Sequence, residues 1–379
     1  MISAVVEKKT SKIATFLLCF FSIIYVYIQV ANILSDAIGN LLIASIGILG
    51  FIYCIYSLNQ SIRTLLLACA IILSFLLVIS ITITGNANYS NVLWVWGYLG
   101  MAAILYFFKH KELVVTILFY VITIYLLYNC ITNYADLAAL VTRSSANALP
   151  SLSIFILFIY YYCVYLHKRL NVFFYPPLLL CLLISLISGT RGAVLACLFF
   201  FVAVFFLVIS AESGKRMRNL IILSLSIVIL FYLANNYILS DYDYLFDTIM
   251  GKVDNYGNKS SRSEIWSEYI DAAMSNIQNF LFGVPFHSIE YPILHEYDGN
   301  THNAFFELHL KFGIIAFIFF MYNIIKSLIV SFKRVPFFFC LLLLIIIRSL
   351  FDWTAFPGIY DMFFWMCVFF NVFPKYCAE

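Results

Sequence analysis

Charge is what this sequence lacks most. Of its 379 residues only 11% are charged, and the formal net charge is +3. Soluble domains carry about 25% charged residues, so an ordinary water-soluble enzyme is excluded. So weak a positive balance also argues against a nucleic-acid partner. Proline is scarce (8), and no stretch reads as a Pro-rich or Gly-rich linker. The ten cysteines form no CxxC pair and fall almost entirely within apolar runs. They read as small packing side chains rather than disulfide or metal frameworks. No P-loop, GxSxG or HExxH motif occurs, and no internal repeat is evident.

Long apolar runs are what is present. Hydrophobic residues make up 64% of the chain, with 39 Phe and 27 Tyr, and the mean hydropathy is +0.98. A bilayer span needs about 20 apolar residues. Read in that window, the sequence predicts about 12 transmembrane helices. They centre near Phe21, Ile46, Ile72, Gly100, Ile122, Leu157, Leu180, Phe200, Ile229, Phe319, Leu343 and Trp365. The fold expectation is an all-α polytopic integral membrane protein, with residues 1–379 as a single membrane domain. The first run, Ile13 to Leu34, is longer than a signal-peptide core and reads as an uncleaved span.

Basic residues orient the bundle. Lys8, Lys9 and Lys12, the pair Lys168 and Arg169, the cluster Lys215, Arg216 and Arg218, and Lys333 and Arg334 all fall on one set of connections. The other set holds only Arg143, Arg191, Lys252, Lys259, Arg262, Lys311 and Arg348 of the 22 Lys and Arg. Both termini are therefore expected in the cytoplasm. The one long connection, residues 240–303, is expected on the outer face, where function concentrates in long loops. Within it, "SRSEIWSEYIDAAMSNIQNFLF" has helical apolar spacing, with Ser263 read as its N-cap. It reads as an amphipathic helix over the mouth of the bundle.

Three features share that outer side. Arg191 stands in "SGTRGAVLA" between the seventh and eighth spans, Arg262 opens the loop helix, and His302-Asn303 enters the tenth span. Arginine grips phosphate oxygens through paired hydrogen bonds. A neutral imidazole near a helix N-terminus can act as a base. Each residue alone has a plainer reading: a snorkelling cation for Arg191, a solvated loop charge for Arg262, an interfacial or capping residue for His302. Gly189 and Gly192 either serve a tight turn and helix packing or let a diphosphate approach the backbone. Pro176 and Pro177 are expected to bend the seventh span. The acidic "DYDY" at Asp241 to Tyr244, and the trio His295, Asp298 and His302, are weaker readings as metal sites.

The ordered set "SGTRGAVLACLFFF", "SRSEIWSEYIDAAMSNIQNFLFG" and "THNAFFELHLKFGII" resembles the O-antigen ligase/polymerase family of bacterial inner membranes. The likeness covers Ser188 to the end of the chain, with "TRSSANALPSLSIF" as a weaker echo around Asn147. It implies a GT-C-like, inverting glycosyltransferase without metal or other cofactor. The implied donor is a glycan on undecaprenyl diphosphate. The implied acceptor glycolipid is a lipid-linked repeat unit for a polymerase, or lipid A-core for a ligase. A chain-length regulator and membrane lipid join the expected partners. By the same resemblance Arg191, Arg262 and His302 carry catalysis. Asn303 and Asn147 support substrate. Arg348 and Asp352, near the outer end of the eleventh span, read first as a buried pair and otherwise as residues that hold the acceptor. The few outward basic residues favour polymerase over ligase, whose acceptor is rich in phosphate. A transporter is the competing class, but the sequence has few midplane charges and no similar halves.

Overall fold

The structure is a computed structural model, and it describes residues 9–31, 36–86, 91–133, 137, 147–166, 168, 170, 172–205, 261–351, 355–356 and 358–377. The expected span near Ile229, the "DYDY" stretch and Asp352 lie outside the described residues. The remaining expected centres each fall within a helix. These are α1 (Lys12–Ala31), α2 (Asp36–Ser57), α3 (Gln60–Thr84), α4 (Asn91–Phe107), α5 (Glu112–Thr132), α6 (Ala148–Tyr165), α7 (Tyr175–Ile187) and α8 (Arg191–Val204). The loop contributes α9 (Ser261–Ser275), α10 (Ile277–Phe282) and α11 (Pro292–Glu296). Then come α12 (Ala304–Arg334), α13 (Pro336–Ser349) and α14 (Asp361–Val372). Among the described residues, six helices are long and apolar enough to cross a membrane. Shorter apolar helices, α4, α7, α8, α13 and α14, accompany them.

Among the described residues, one small departure from helix occurs. The strands β1 (Lys9–Thr10) and β2 (Phe108–Lys109) pair in parallel, Lys9 opposite Phe108. Nearby, Thr15 Oγ1 meets His110 Nδ1 at 3.3 Å. This latch ties the start of α1 to the turn after α4.

Inside a bilayer, helices gain little from hydrophobicity and associate by close packing and hydrogen bonds. Both are visible. A Cβ on Gly47 would stand 2.6 Å from Gly97 Cα, so α2 and α4 cross almost backbone to backbone. Trp96 Nε1 donates to Ser74 Oγ at 2.8 Å, joining α4 to α3. Centrally, α14 is buried from Asp361 to Phe370, with Trp365 among the largest buried side chains. Phe363 packs tilted against Phe155 and Phe158 of α6.

The loop segment builds a separate small core. Ile265, Tyr269, Ala272, Ala273, Val284, Phe286 and Leu294 pack with Leu310 of α12. Glu268 on α9 accepts from the backbone N–H groups of Ile293 (3.2 Å) and Leu294 (2.6 Å), capping α11. The cap sits on the bundle through α3. Ser80 Oγ donates to Phe282 O at 2.5 Å, and Asn86 Nδ2 donates to Val284 O at 2.7 Å.

Four sequence expectations change here. The loop helix is not continuous: Asn276, extended at φ −155° and ψ 162°, caps α10 by accepting from Asn279 N. Asn satisfies orphan N–H groups at such a break. Ser263 is not the N-cap, since α9 already begins at Ser261. Pro176 and Pro177 do not bend a helix but occupy the first turn of α7, where a missing N–H costs nothing. Gly192 offers no room for a diphosphate, because its Cα faces Phe351; an added Cβ would lie 2.7 Å from Phe351 Cβ. Gly189, at φ 64°, makes the tight turn into α8.

Candidate functional site

All the candidate residues that are described gather at one end of the bundle, the end that carries the loop. Helix polarity alone requires much of this. Arg191 starts α8, Arg262 is the second residue of α9, and His302 directly precedes the N-cap of α12. Three helix N-termini therefore carry the three candidates. A helix N-terminus bears partial positive charge and unpaired N–H groups. An arginine there works against the dipole and gains no stability from it. Paired with an anion it is favourable, because dipole and guanidinium then act in the same sense. Arg191 is exposed, which leaves its guanidinium accessible to such an anion.

Around Arg191 the bundle is cross-braced. Thr190, the α8 N-cap, donates through Oγ1 to Asn147 Oδ1 at 3.0 Å. Asn147 O in turn accepts from Arg348 at 3.0 Å, and the same guanidinium nitrogen donates to Ser151 Oγ at 2.7 Å. Tyr360 Oη donates to Ser151 O at 3.0 Å. Arg348 is almost fully buried, at 1% exposure. It thus links α13 to the start of α6, with its charge spread over backbone and hydroxyl acceptors. Asn147, Thr190 and Arg348 form one network behind Arg191. Replacing Asn147 with alanine removes the acceptor of Thr190 and is expected to lower transfer about 10-fold through misplacement of Arg191. Quantifying product per unit of membrane protein for Asn147→Ala checks this.

The second half of the site is the junction of the loop with α12. Trp266 stands one turn after Arg262 on α9, and its Nε1 donates to Thr301 O at 2.8 Å. Thr301 is the residue before His302, so this bond brings the Arg262 helix to the His302 turn. His302 has a left-handed backbone, φ 52°, which is uncommon for a residue with a side chain. Its N–H donates to Asn300 Oδ1 at 2.9 Å, and its ring meets Tyr297 edge to face at 6.2 Å. Strained backbone of this kind persists only where neighbours over-determine it, and it clusters at functional sites. Asn303 is the N-cap of α12, its side-chain oxygen accepting from Phe305 N and Phe306 N. That oxygen is engaged in holding the helix start.

Four residues without sequence warning complete this region. Glu307 is buried, with a carboxylate that accepts from Thr301 N at 2.6 Å. It pairs with Lys311 one turn on, at 2.5 Å, the side chains being 1% and 21% exposed. Lys311 is also an electrostatic neighbour of Asp361 at the start of α14. Asp361 accepts from Phe356 N and Gly358 N, at 2.7 and 3.1 Å. Tyr360, beside Asp361 in sequence, reaches Ser151, so the start of α14 joins the Arg191 network and also feels the charge of Lys311. Below them, His309 contacts Phe280 O through Nε2 at 2.8 Å and Tyr269 Oη through Nδ1 at 2.7 Å. A carbonyl only accepts, so Nε2 carries the proton and the phenol donates to Nδ1. Burial, with Glu307 close by, pushes the Tyr269 phenol up from its ordinary value, which keeps it a donor.

Among the described residues, no three His, Cys, Asp or Glu side chains come together as a metal site. His295, Asp298 and His302 make no such group. Asp298 instead lies 3.8 Å from His287, both side chains largely exposed.

A family model described as O-antigen ligase matches residues 176–321. The match runs from the first turn of α7 into α12. It therefore takes in Arg191, Arg262, His302, Glu307 and Lys311, and leaves Asn147 and Arg348 outside. A comparison with curated proteins gives no match.

Proposed function

We propose that this chain, matched over residues 176–321 by a family model described as O-antigen ligase, is a glycosyltransferase of that kind, acting on a lipid-linked glycan at the outer face of the bacterial inner membrane. The donor is a glycan on undecaprenyl diphosphate. Arg191 and Arg262 hold the diphosphate, assisted by the N-termini of α8 and α9. His302 takes the proton from the acceptor hydroxyl. That oxygen bonds to the anomeric carbon from the side opposite the diphosphate. The bond from carbon to diphosphate oxygen breaks, and its electron pair leaves with the diphosphate. Configuration inverts. The arginines supply the positive charge that the leaving group requires, so the reaction as drawn uses no metal.

The observation that carries the reading is the hydrogen bond between Trp266 and Thr301. It brings the helix of Arg262 to the turn of His302 across 35 positions of sequence. The low count of outward basic residues favours the polymerase, with a lipid-linked repeat unit as acceptor. The same charge asymmetry favours a cytoplasmic location for both termini.

Deleting the gene and resolving lipopolysaccharide on a gel tests this. A core capped by single repeat units is the expected result and identifies a polymerase. A bare core, with polymer retained on its lipid carrier, identifies a ligase and overturns the choice between the two. Unchanged lipopolysaccharide removes O-antigen from the proposal.

A further inference from the structure

Glu307 has no part in the proposed chemistry, yet it is the most deeply buried carboxylate near His302. What it does follows from its partners. Thr301 is completely buried and is held at every polar atom. Its N–H goes to Glu307 at 2.6 Å, its carbonyl takes the Trp266 indole proton, and its hydroxyl lies 3.0 Å from Asn303 O and 3.2 Å from Glu307. Flanking residues are fixed too: Asn300 accepts from His302 N–H and Asn303 caps α12. His302 alone, between these anchors, takes the left-handed backbone. A relaxed turn would put its imidazole elsewhere.

We propose that Glu307 is a positioning residue, which locks Thr301 and so holds His302 in the left-handed turn that aims its imidazole at the acceptor. Lys311 neutralises the carboxylate without reaching Thr301. The inference rests on the reading of His302 given above, and goes beyond it by naming the group that aims the base.

Full-length variants in the deletion strain test it, with polymer per unit of membrane protein as the readout. Glu307→Ala is expected to lose about 100-fold in transfer, the scale on which small misplacements act. The double variant Glu307→Gln with Lys311→Met keeps an oxygen at the Thr301 N–H and removes both charges together. It is expected to restore most of the transfer. A loss as deep as that of Glu307→Ala would overturn the proposal, since charge and not the Thr301 bond would then matter. If Glu307→Ala fails to reach the membrane, this double variant decides alone, on the same two outcomes.

A chemical readout separates positioning from general stability. Diethyl pyrocarbonate modifies imidazoles, and peptide mass spectrometry reads His302 against the exposed His287. Glu307→Ala should shift that ratio, while the double variant keeps it. An unshifted ratio overturns the positioning role. His302→Ala serves as the control on the underlying reading. Wild-type polymer from His302→Ala would refute the base assignment itself. Wild-type polymer from Glu307→Ala, beside an inactive His302→Ala, would refute only the role of Glu307.

Discussion

Replacing His302 with alanine is expected to reduce transfer by about 10²–10⁴-fold, the usual contribution of a positioned general base. Arg191→Ala and Arg262→Ala are each expected to cost about 10²–10³-fold, as removal of one charge-stabilising donor does. None of the three should lower the amount of protein in the membrane. His302 lies ahead of a helix already capped by Asn303, so losing its ring leaves the cap intact. Arg191 is exposed at the start of α8, and neither arginine is favoured there by the helix dipole. Arg191→Lys is informative in addition. A lysine keeps the charge but not the planar fork, so partial activity means point-charge attraction and inactivity means bidentate grip. Immunoblotting of membranes alongside lipopolysaccharide gels reads all four variants. Normal polymer from the three alanine variants would sink the mechanism.

The apolar helices were legible because a bilayer writes its demand directly into composition. Twenty apolar residues at a time, bounded by Lys clusters or polar turns, leave little else to read. The helix-end positions of Arg191, Arg262 and His302 were legible for the same reason, each marking where an apolar period begins. Other features were hidden by ordinary-looking residues. Glu307 and Lys311 are four apart on a helix, the spacing of a common surface ion pair, and only the fold shows that the pair is buried. Asn276 did carry a capping signal, but the apolar period on either side continues across it and suggested one helix. Pro176 and Pro177 start a helix within an apolar run that already begins before them. The start of a helix inside such a run has no compositional mark other than the prolines themselves. Gly313 gave no sign at all within "KFGIIAFIFF".

That glycine and Gly283 give the largest structural effect. Gly313 interrupts α12 at φ 77°, ψ 178°, and Gly283 ends α10 at φ 101°, ψ 171°. Both angles lie in a region that is essentially confined to glycine. Each glycine also faces the backbone of the other's helix. A Cβ on Gly313 would lie 2.3 Å from Leu281 O, and one on Gly283 would lie 2.1 Å from Leu310 O. Each obstacle is backbone carbonyl, so no side-chain rotation relieves it. Gly313→Ala or Gly283→Ala must therefore bear about 1–3 kcal/mol of backbone strain, and in addition push α10 away from α12. The consequence reaches the site. Moving α10 breaks the His309 contact to Phe280 O and pulls on α9, which holds Thr301 through Trp266. Either variant is expected to lose transfer and to expose the loop segment to protease, with the double variant adding little to either single one, since one displacement relieves both clashes. Limited proteolysis of right-side-out vesicles, scored for cleavage between residues 261 and 303, measures the detachment. An intact loop in both alanine variants would mean that this contact does not hold the loop on the bundle.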